Sequence, residues 1–157
     1  MSIARVVVVG AGPAGAHAAE TLRARGFDGS VVVLGDEPFP PYERPALSKE
    51  FLAGSRSRDG LVLRAPGFWE SRGIDLRLGT RVARIDYRSR TAVTGRGVAF
   101  PWDAIVLATG ARARRLPLPA PPSVHVLRGI ADAEALRTRL ARGVRLAVVG
   151  GGFLGAE

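Results

Sequence analysis

The chain has 157 residues, of which 46% are hydrophobic, and carries a formal net charge of +9 at pH 7. That composition fits one packed domain with a sizeable core and argues against wholesale disorder or two complete domains. The sequence holds no cysteine, which excludes disulfide staples, thiolate metal sites and a redox-active cysteine pair.

The basic residues are almost all arginine, with Lys49 the only lysine. They are scattered apart from a small cluster at Arg112, Arg114 and Arg115, with no continuous basic stripe carrying interleaved aromatics. A solvated arginine-rich surface is therefore favoured over a nucleic-acid interface. Apolar runs such as Val6 to Val9 and Ile105 to Leu107 fall far short of the ~20 residues a membrane span needs. The N-terminus enters a strand-like run directly, without the pattern of a signal peptide, so a cytoplasmic protein with no membrane partner is expected.

Residues 3–9 form a near-continuous β-branched run and predict a buried parallel strand. Residues 14–25, rich in alanine and leucine, predict a helix stopped by Gly26. Ser30 to Leu34 is a second β-branched run, completing a βαβ unit of a doubly wound α/β sheet. Asp36 to Pro45 holds four prolines and predicts a shaped loop. Short helices are expected over Leu47 to Leu52 and over 66–72. From Ile74 to Phe100 short alternating stretches broken by glycines predict an inserted β-meander. A buried strand returns at Ala104 to Ala108. Residues 111–122 read as a linker, and Val124 to Leu127 as a short strand-like run. Ala131 to Ala141 predicts an amphipathic helix and Arg145 to Val149 a last strand. The closing glycines then open a loop that should lead into a helix; that helix is missing, so the sequence reads as truncated.

Gly10-Ala11-Gly12-Pro13-Ala14-Gly15 matches G-x-G-x-x-G between a strand and a helix. Gly10 allows the tight turn, Gly12 lets backbone approach a pyrophosphate, and Gly15 allows close packing of helix on strand. The helix N-terminus offers free N–H groups and a positive dipole end to phosphates. Asp36 lies 21 residues beyond Gly15, near the ~20 expected for a ribose acid. Its neighbour Glu37 competes for that role. A second match, Gly150-x-Gly152-x-x-Gly155, also follows a predicted strand. Two such motifs imply two dinucleotide sites, commonly FAD and NAD(P)H, with hydride or electron transfer between them.

In combination and order, these motifs resemble the oxygenase-coupled ferredoxin reductases, the putidaredoxin reductase and rubredoxin reductase group of two-dinucleotide flavoproteins. The segments that carry the resemblance are Val9 to Ala16, Tyr42-Glu43-Arg44-Pro45-Ala46-Leu47-Ser48-Lys49, Leu78 to Val82, Ile105 to Gly110, Leu127-Arg128 with Asp132-Ala133, and residues 150–157. The resemblance implies a Rossmann-like FAD-binding domain over 1–110, with parallel sheet and inserted meander. A linker and the truncated start of a second, NAD(P)-binding Rossmann domain would occupy 111–157.

It further implies that Arg44, Pro45 and Lys49 lie against the flavin, with Lys49 near its reactive edge. Val82 would meet the adenine through its backbone and Arg128 would contact the cofactor. Glu157 would sit near the flavin–nicotinamide junction. Pro13 and Ala14 belong to the phosphate loop, and Ala108, Thr109 and Gly110 close the FAD domain. The family often has a second proline where this chain has Ala46. Disulfide-reducing relatives carry a cysteine pair just before the corresponding lysine. Glu43 to Ser48 stand there instead, so electrons would leave for an external acidic ferredoxin-type carrier serving an oxygenase.

Two other readings stay open. One is a truncated FAD-binding module without turnover. The other is a single-site NAD-binding dehydrogenase domain, which leaves the Lys49 segment and the second motif unexplained. His17 and His125 have no metal-ligating partners nearby in sequence, and Trp69 and Trp102 read as packing residues.

Overall fold

The β-branched run near the start of the chain forms strand β1 (Arg5–Val9) in a computed structural model that describes residues 3–114, 117, 121 and 123–157. Helix α1 (Pro13–Ala24) and strand β2 (Ser30–Leu34) follow. After the proline-rich loop come two 3-10 turns, Pro45–Ser48 and Asp59–Leu61, and the short helix α2 (Phe68–Ser71). Strands β3 (Ile74–Arg77), β4 (Val82–Asp86), β5 (Thr91–Thr94), β6 (Ala99–Pro101) and β7 (Ala104–Leu107) succeed one another. Helices α3 (Ile130–Leu140) and α4 (Phe153–Ala156) are the last described elements. Arg115, part of the basic cluster in the sequence, lies outside the described residues. Among the described residues no helix is long and apolar enough to cross a membrane.

The chain divides into two units, Met1–Tyr42 with Leu63–Gly110, and Glu43–Val62 with Ala111–Glu157. The first unit is built on a parallel sheet of order β3-β2-β1-β7. Its central strands are β-branched because both faces are covered. Val6 and Val8 stand beside Val31 and Val33 and pack with Ala16 and Ala19 of α1, and with Trp69 and Ile74. Val7, Val9 and Leu34 face the other way, onto Ala92 and Trp102. The antiparallel meander β4-β5-β6 supplies that second layer.

Arg23 fastens the helix side of the unit. Its guanidinium donates to the carbonyls of Phe27, Gly29, Arg72 and Gly73 at 2.6–3.0 Å. Where β1 begins, Arg5 and the backbone N–H groups of Ala4 and Arg5 converge on the Asp103 carboxylate. The Arg5 hydrogen bond first, and those backbone donors after it, hold Asp103 down at a pKa of about 2.

Four sequence expectations are corrected. Ile74 to Arg77 is not part of the meander but the parallel edge strand of the main sheet, pairing with β2. Its alternation arises because one face is packed, through Ile74 and Leu76, while Asp75 and Arg77 stay exposed. Leu47 to Leu52 is a 3-10 turn begun at Pro45, followed by turns that end at Gly54 with φ of +82°. Residues 145–149 and 124–127 form no strand. A strand requires a hydrogen-bonding neighbour, and no described strand pairs with either run.

In the second unit, α3 packs against the Pro45–Ser48 turn, burying Ile130 and Ala133 on one side and Ala46 and Leu47 on the other. Asp132 reaches back to the N–H groups of Arg128 and Gly129 at 3.0 and 2.9 Å, capping α3. Phe51 is buried at 2% exposure, and the Arg137 guanidinium lies over its ring at 5.4 Å.

Candidate functional site

In the first unit the glycine loop leaves β1 through Gly10, whose φ of +112° suits glycine alone. Its N–H donates to the Leu34 carbonyl at 2.8 Å. A Cβ there would stand 2.1 Å from the Ala108 carbonyl oxygen, so Ala108 at the end of β7 closes directly on the loop. Thr109 and Gly110 follow as exposed residues, Gly110 with φ of +67°.

Gly12 is the N-cap of α1, with extended backbone, and Pro13 fills the first helical position where its missing N–H costs nothing. Ala14 is exposed and Gly15 buried. A Cβ on Gly15 would lie 1.9 Å from the Gly10 carbonyl oxygen, whereas a Cβ on Gly12 would meet nothing within 4 Å. The loop thus closes on itself at Gly10 and Gly15 and keeps open space over Gly12, a cradle that fits a pyrophosphate approaching the helix N-terminus.

Gly35 packs onto this loop, since a Cβ there would lie 2.6 Å from Cβ of Ala11. The next two residues are the ribose-acid candidates, and the structure distinguishes their surroundings. Asp36 is exposed, with Arg81 Nη1 3.9 Å from its carboxylate. Glu37 is half-buried, and its carboxylate accepts the Tyr42 hydroxyl at 2.6 Å. Its backbone carbonyl accepts the Gly79 N–H at 3.0 Å. Asp36 is thus the more accessible of the two beside the loop. Val82 opens β4 and puts its side chain into the meander core with Ile85 and Phe100.

In the second unit Arg44 Nη1 donates to the Arg128 carbonyl at 3.0 Å, and Arg128 Nε donates to the Ala111 carbonyl at 2.9 Å. The two guanidinium groups predicted at the cofactor thus form a short relay, from Arg44 to the Arg128 backbone and from the Arg128 side chain to Ala111. Pro45 starts the turn whose C-cap is Lys49. Lys49 Nζ pairs with Oε1 of Glu157 at 3.2 Å, and the buried Ser48 hydroxyl donates to Oε2 at 2.5 Å. The Ser48 hydrogen bond first, then Lys49, holds the Glu157 carboxyl below its ordinary pKa.

The second glycine loop repeats the backbone of the first. Gly150 has φ of +117° against +112° at Gly10. Gly152 caps α4 with φ −77° and ψ −179°, against −76° and −178° at Gly12. A Cβ on Gly155 would stand 2.0 Å from the Gly150 carbonyl oxygen, as at Gly15 and Gly10. The sequence reading that the helix after these glycines is missing is corrected: its first turn is present as Phe153–Ala156, because the Gly152 N-cap has the same extended backbone that starts α1.

The sequence pattern quoted Tyr42, Ser48 and Asp132 without giving them roles. The structure makes Tyr42 the partner of Glu37, Ser48 the partner of Glu157 and Asp132 the cap of α3. Only Asp132 had a local signal, its place three residues after Gly129.

The sequence model of the pyridine nucleotide-disulphide oxidoreductase family matches residues 4–157. The anthranilate 1,2-dioxygenase system ferredoxin–NAD(+) reductase component of Burkholderia cepacia is 43% identical over 159 aligned residues, covering 100% of this chain and 39% of that protein. Rhodocoxin reductase of Rhodococcus erythropolis is 41% identical over 154 residues, covering 97% of this chain and 36% of that protein. Among solved structures, the ferredoxin reductase for the CYP199A2 system of Rhodopseudomonas palustris superposes with a TM-score of 0.92 at 35% identity, covering 97% of this chain and 38% of that one. The chain thus spans under two-fifths of these relatives. With a family match along nearly its whole length and two glycine loops of one geometry, the chain belongs to the pyridine nucleotide-disulphide oxidoreductase family.

Proposed function

We propose that the chain is the FAD-binding front part of an NAD(P)H-dependent reductase that passes electrons through flavin to an acidic ferredoxin-type carrier serving an oxygenase. One observation carries the reading: two glycine loops with the same backbone geometry lie 140 residues apart in one chain. Two dinucleotide cradles suit a flavin and a nicotinamide. The absence of cysteine from Glu43 to Ser48 turns the reading away from thiol reduction within this segment and toward an outside acceptor.

In this reading residues 1–110 are the first segment of the FAD domain, and 111–157 are the linker and the beginning of the NAD(P) domain. Gly10, Gly12, Pro13, Ala14 and Gly15 receive the FAD pyrophosphate on backbone N–H groups, and Ala108, Thr109 and Gly110 border that loop. Asp36 accepts the ribose hydroxyls, while Glu37 is kept occupied by Tyr42. The Val82 backbone meets the adenine. Arg44, Pro45 and Arg128 contact the cofactor, and Lys49 faces the flavin, where an ammonium favours electron density arriving on the ring. Gly150, Gly152 and Gly155 take the nicotinamide dinucleotide, and Glu157 borders the junction of the two cofactors. FAD, when bound, supplies the exchange between two-electron and one-electron chemistry. The protein's part is to bind, orient and electrostatically tune it.

The test is the visible absorption spectrum of the purified protein after FAD addition and desalting, then on adding NADH with a ferredoxin as acceptor. Retained flavin bands that NADH bleaches, and that ferredoxin restores, support the proposal. Folded protein that retains no flavin overturns it.

A further inference from the structure

Ser48 and Lys49 are consecutive residues, yet each holds a different oxygen of one carboxylate. Ser48 Oγ lies 2.5 Å from Oε2 of Glu157, and Lys49 Nζ lies 3.2 Å from Oε1. Ser48 is only 5% exposed and ends a 3-10 turn held on either side of it, where the Leu47 N–H donates to the Arg44 carbonyl at 3.0 Å and the Lys49 N–H to the Ala46 carbonyl at 3.2 Å. A hydroxyl has one proton to give. The alternative acceptor, the Pro45 carbonyl oxygen, lies at 3.3 Å, and the shorter charge-assisted bond to Glu157 takes the proton.

Lys49 differs from Ser48 in freedom. Its side chain is 49% exposed, and a four-carbon stem leaves its ammonium many positions. A carboxylate immobilised by a buried neighbour narrows them. Among the described residues, Ser48 and Lys49 are the side chains recorded against the Glu157 carboxylate. Glu157 is also the C-cap of α4, so the same hydroxyl ties the second glycine loop to the Lys49 segment.

We propose that Ser48 is a positioning residue that fixes the Glu157 carboxylate and, through it, the Lys49 ammonium, a role that rests on the flavin reading of Lys49 given above. The first test needs no cofactor. In protein carrying glutamate labelled at the side-chain carboxyl carbon, the Glu157 titration is followed by NMR in wild type and Ser48→Ala. The titration should move to higher pH in the alanine variant and return toward the wild-type position in Ser48→Thr, which keeps the hydroxyl. An unmoved titration in Ser48→Ala overturns the hydrogen bond as the anchor.

The second test uses the FAD-loaded protein. Ser48→Ala should slow bleaching of the flavin by NADH about tenfold, the scale of a hydrogen bond to a charged group. In a Glu157→Gln background the same change should matter less than about twofold, because coupled residues are non-additive. Equal losses in both backgrounds mean that Ser48 acts by packing alone, which overturns the proposal. Failure of wild-type protein to bind FAD is a separate result: it defeats the flavin reading and leaves the cofactor-free titration standing on its own.

Discussion

Gly12 and Gly15 lie three residues apart on one loop and should respond to alanine in opposite ways. At Gly15 the backbone is helical and would accept alanine, with a gain of about 1 kcal/mol in helix propensity. The new Cβ, however, would stand 1.9 Å from the Gly10 carbonyl oxygen and 3.2 Å from Cγ1 of Val8, where ordinary contact begins at 3.4 Å. Backbone must then open by roughly 1.5 Å between β1 and α1, and such overpacking overrides the propensity gain, leaving a net loss of about 2 kcal/mol. At Gly12 the backbone is extended and nothing lies within 4 Å of the added carbon. Folding should lose less than about 1 kcal/mol there, the cost of a poorer helix cap. The carbon would instead occupy the space assigned to the pyrophosphate, and losing one charge-assisted contact weakens FAD binding by roughly 10- to 100-fold. Urea denaturation midpoints and quenching of flavin fluorescence on titration separate the two effects. A Gly12→Ala protein that binds FAD as wild type does, or a Gly15→Ala protein of unchanged stability, would refute the assignment of roles in the loop.

Tyr42→Phe removes the hydroxyl held by Glu37 at 2.6 Å and should cost about 1–2 kcal/mol in chemical denaturation, being a bond to a carboxylate at a half-buried site. Its FAD affinity should change less than that of Asp36→Asn, measured by the same fluorescence titration. Phe51→Ala empties a site that is 2% exposed beneath Arg137 and should cost about 3–4 kcal/mol by the same denaturation assay. Asp103 supplies a pH dependence. Its pKa is depressed in the folded state to about 2 from an ordinary value of 3.8, so its stabilisation is fully present above pH ~4 and is lost as pH falls toward 2. Thermal melts across that window should therefore fall less steeply in Asp103→Asn than in wild type.

Much of the first unit was legible because its signals are local. The run Val6 to Val9 announces a strand covered on both faces, and Gly10 to Gly15 announces the loop after it. Ser30 to Leu34 emerged with the bounds expected. The strand β3 misled because its alternation is shared by an edge strand of a parallel sheet and a strand of a meander. What separates them is the neighbour, here β2, some forty residues earlier, and spacing along the chain does not encode that choice. Residues 145–149 show the converse: the β-branched pattern is present, but no described strand stands beside it. At the site, Lys49 stood out as the single lysine, whereas Ser48 was invisible as a donor because its acceptor lies 109 positions away. The choice between Asp36 and Glu37 likewise depended on a third residue, Tyr42, whose hydroxyl occupies one of two adjacent carboxylates.

The near-identity of the Gly10 and Gly150 loops has a consequence for selectivity. In the proposed function each receives the pyrophosphate, the part that FAD and NAD(P)H share, and main-chain N–H groups cannot sense which ring system hangs beyond it. A loop of this kind grips but does not choose. Discrimination between the nucleotides must be supplied by the side chains around each loop, such as Asp36 beside the first. ADP-ribose, which carries the shared half and neither redox ring, should therefore be a common competitor at both cradles.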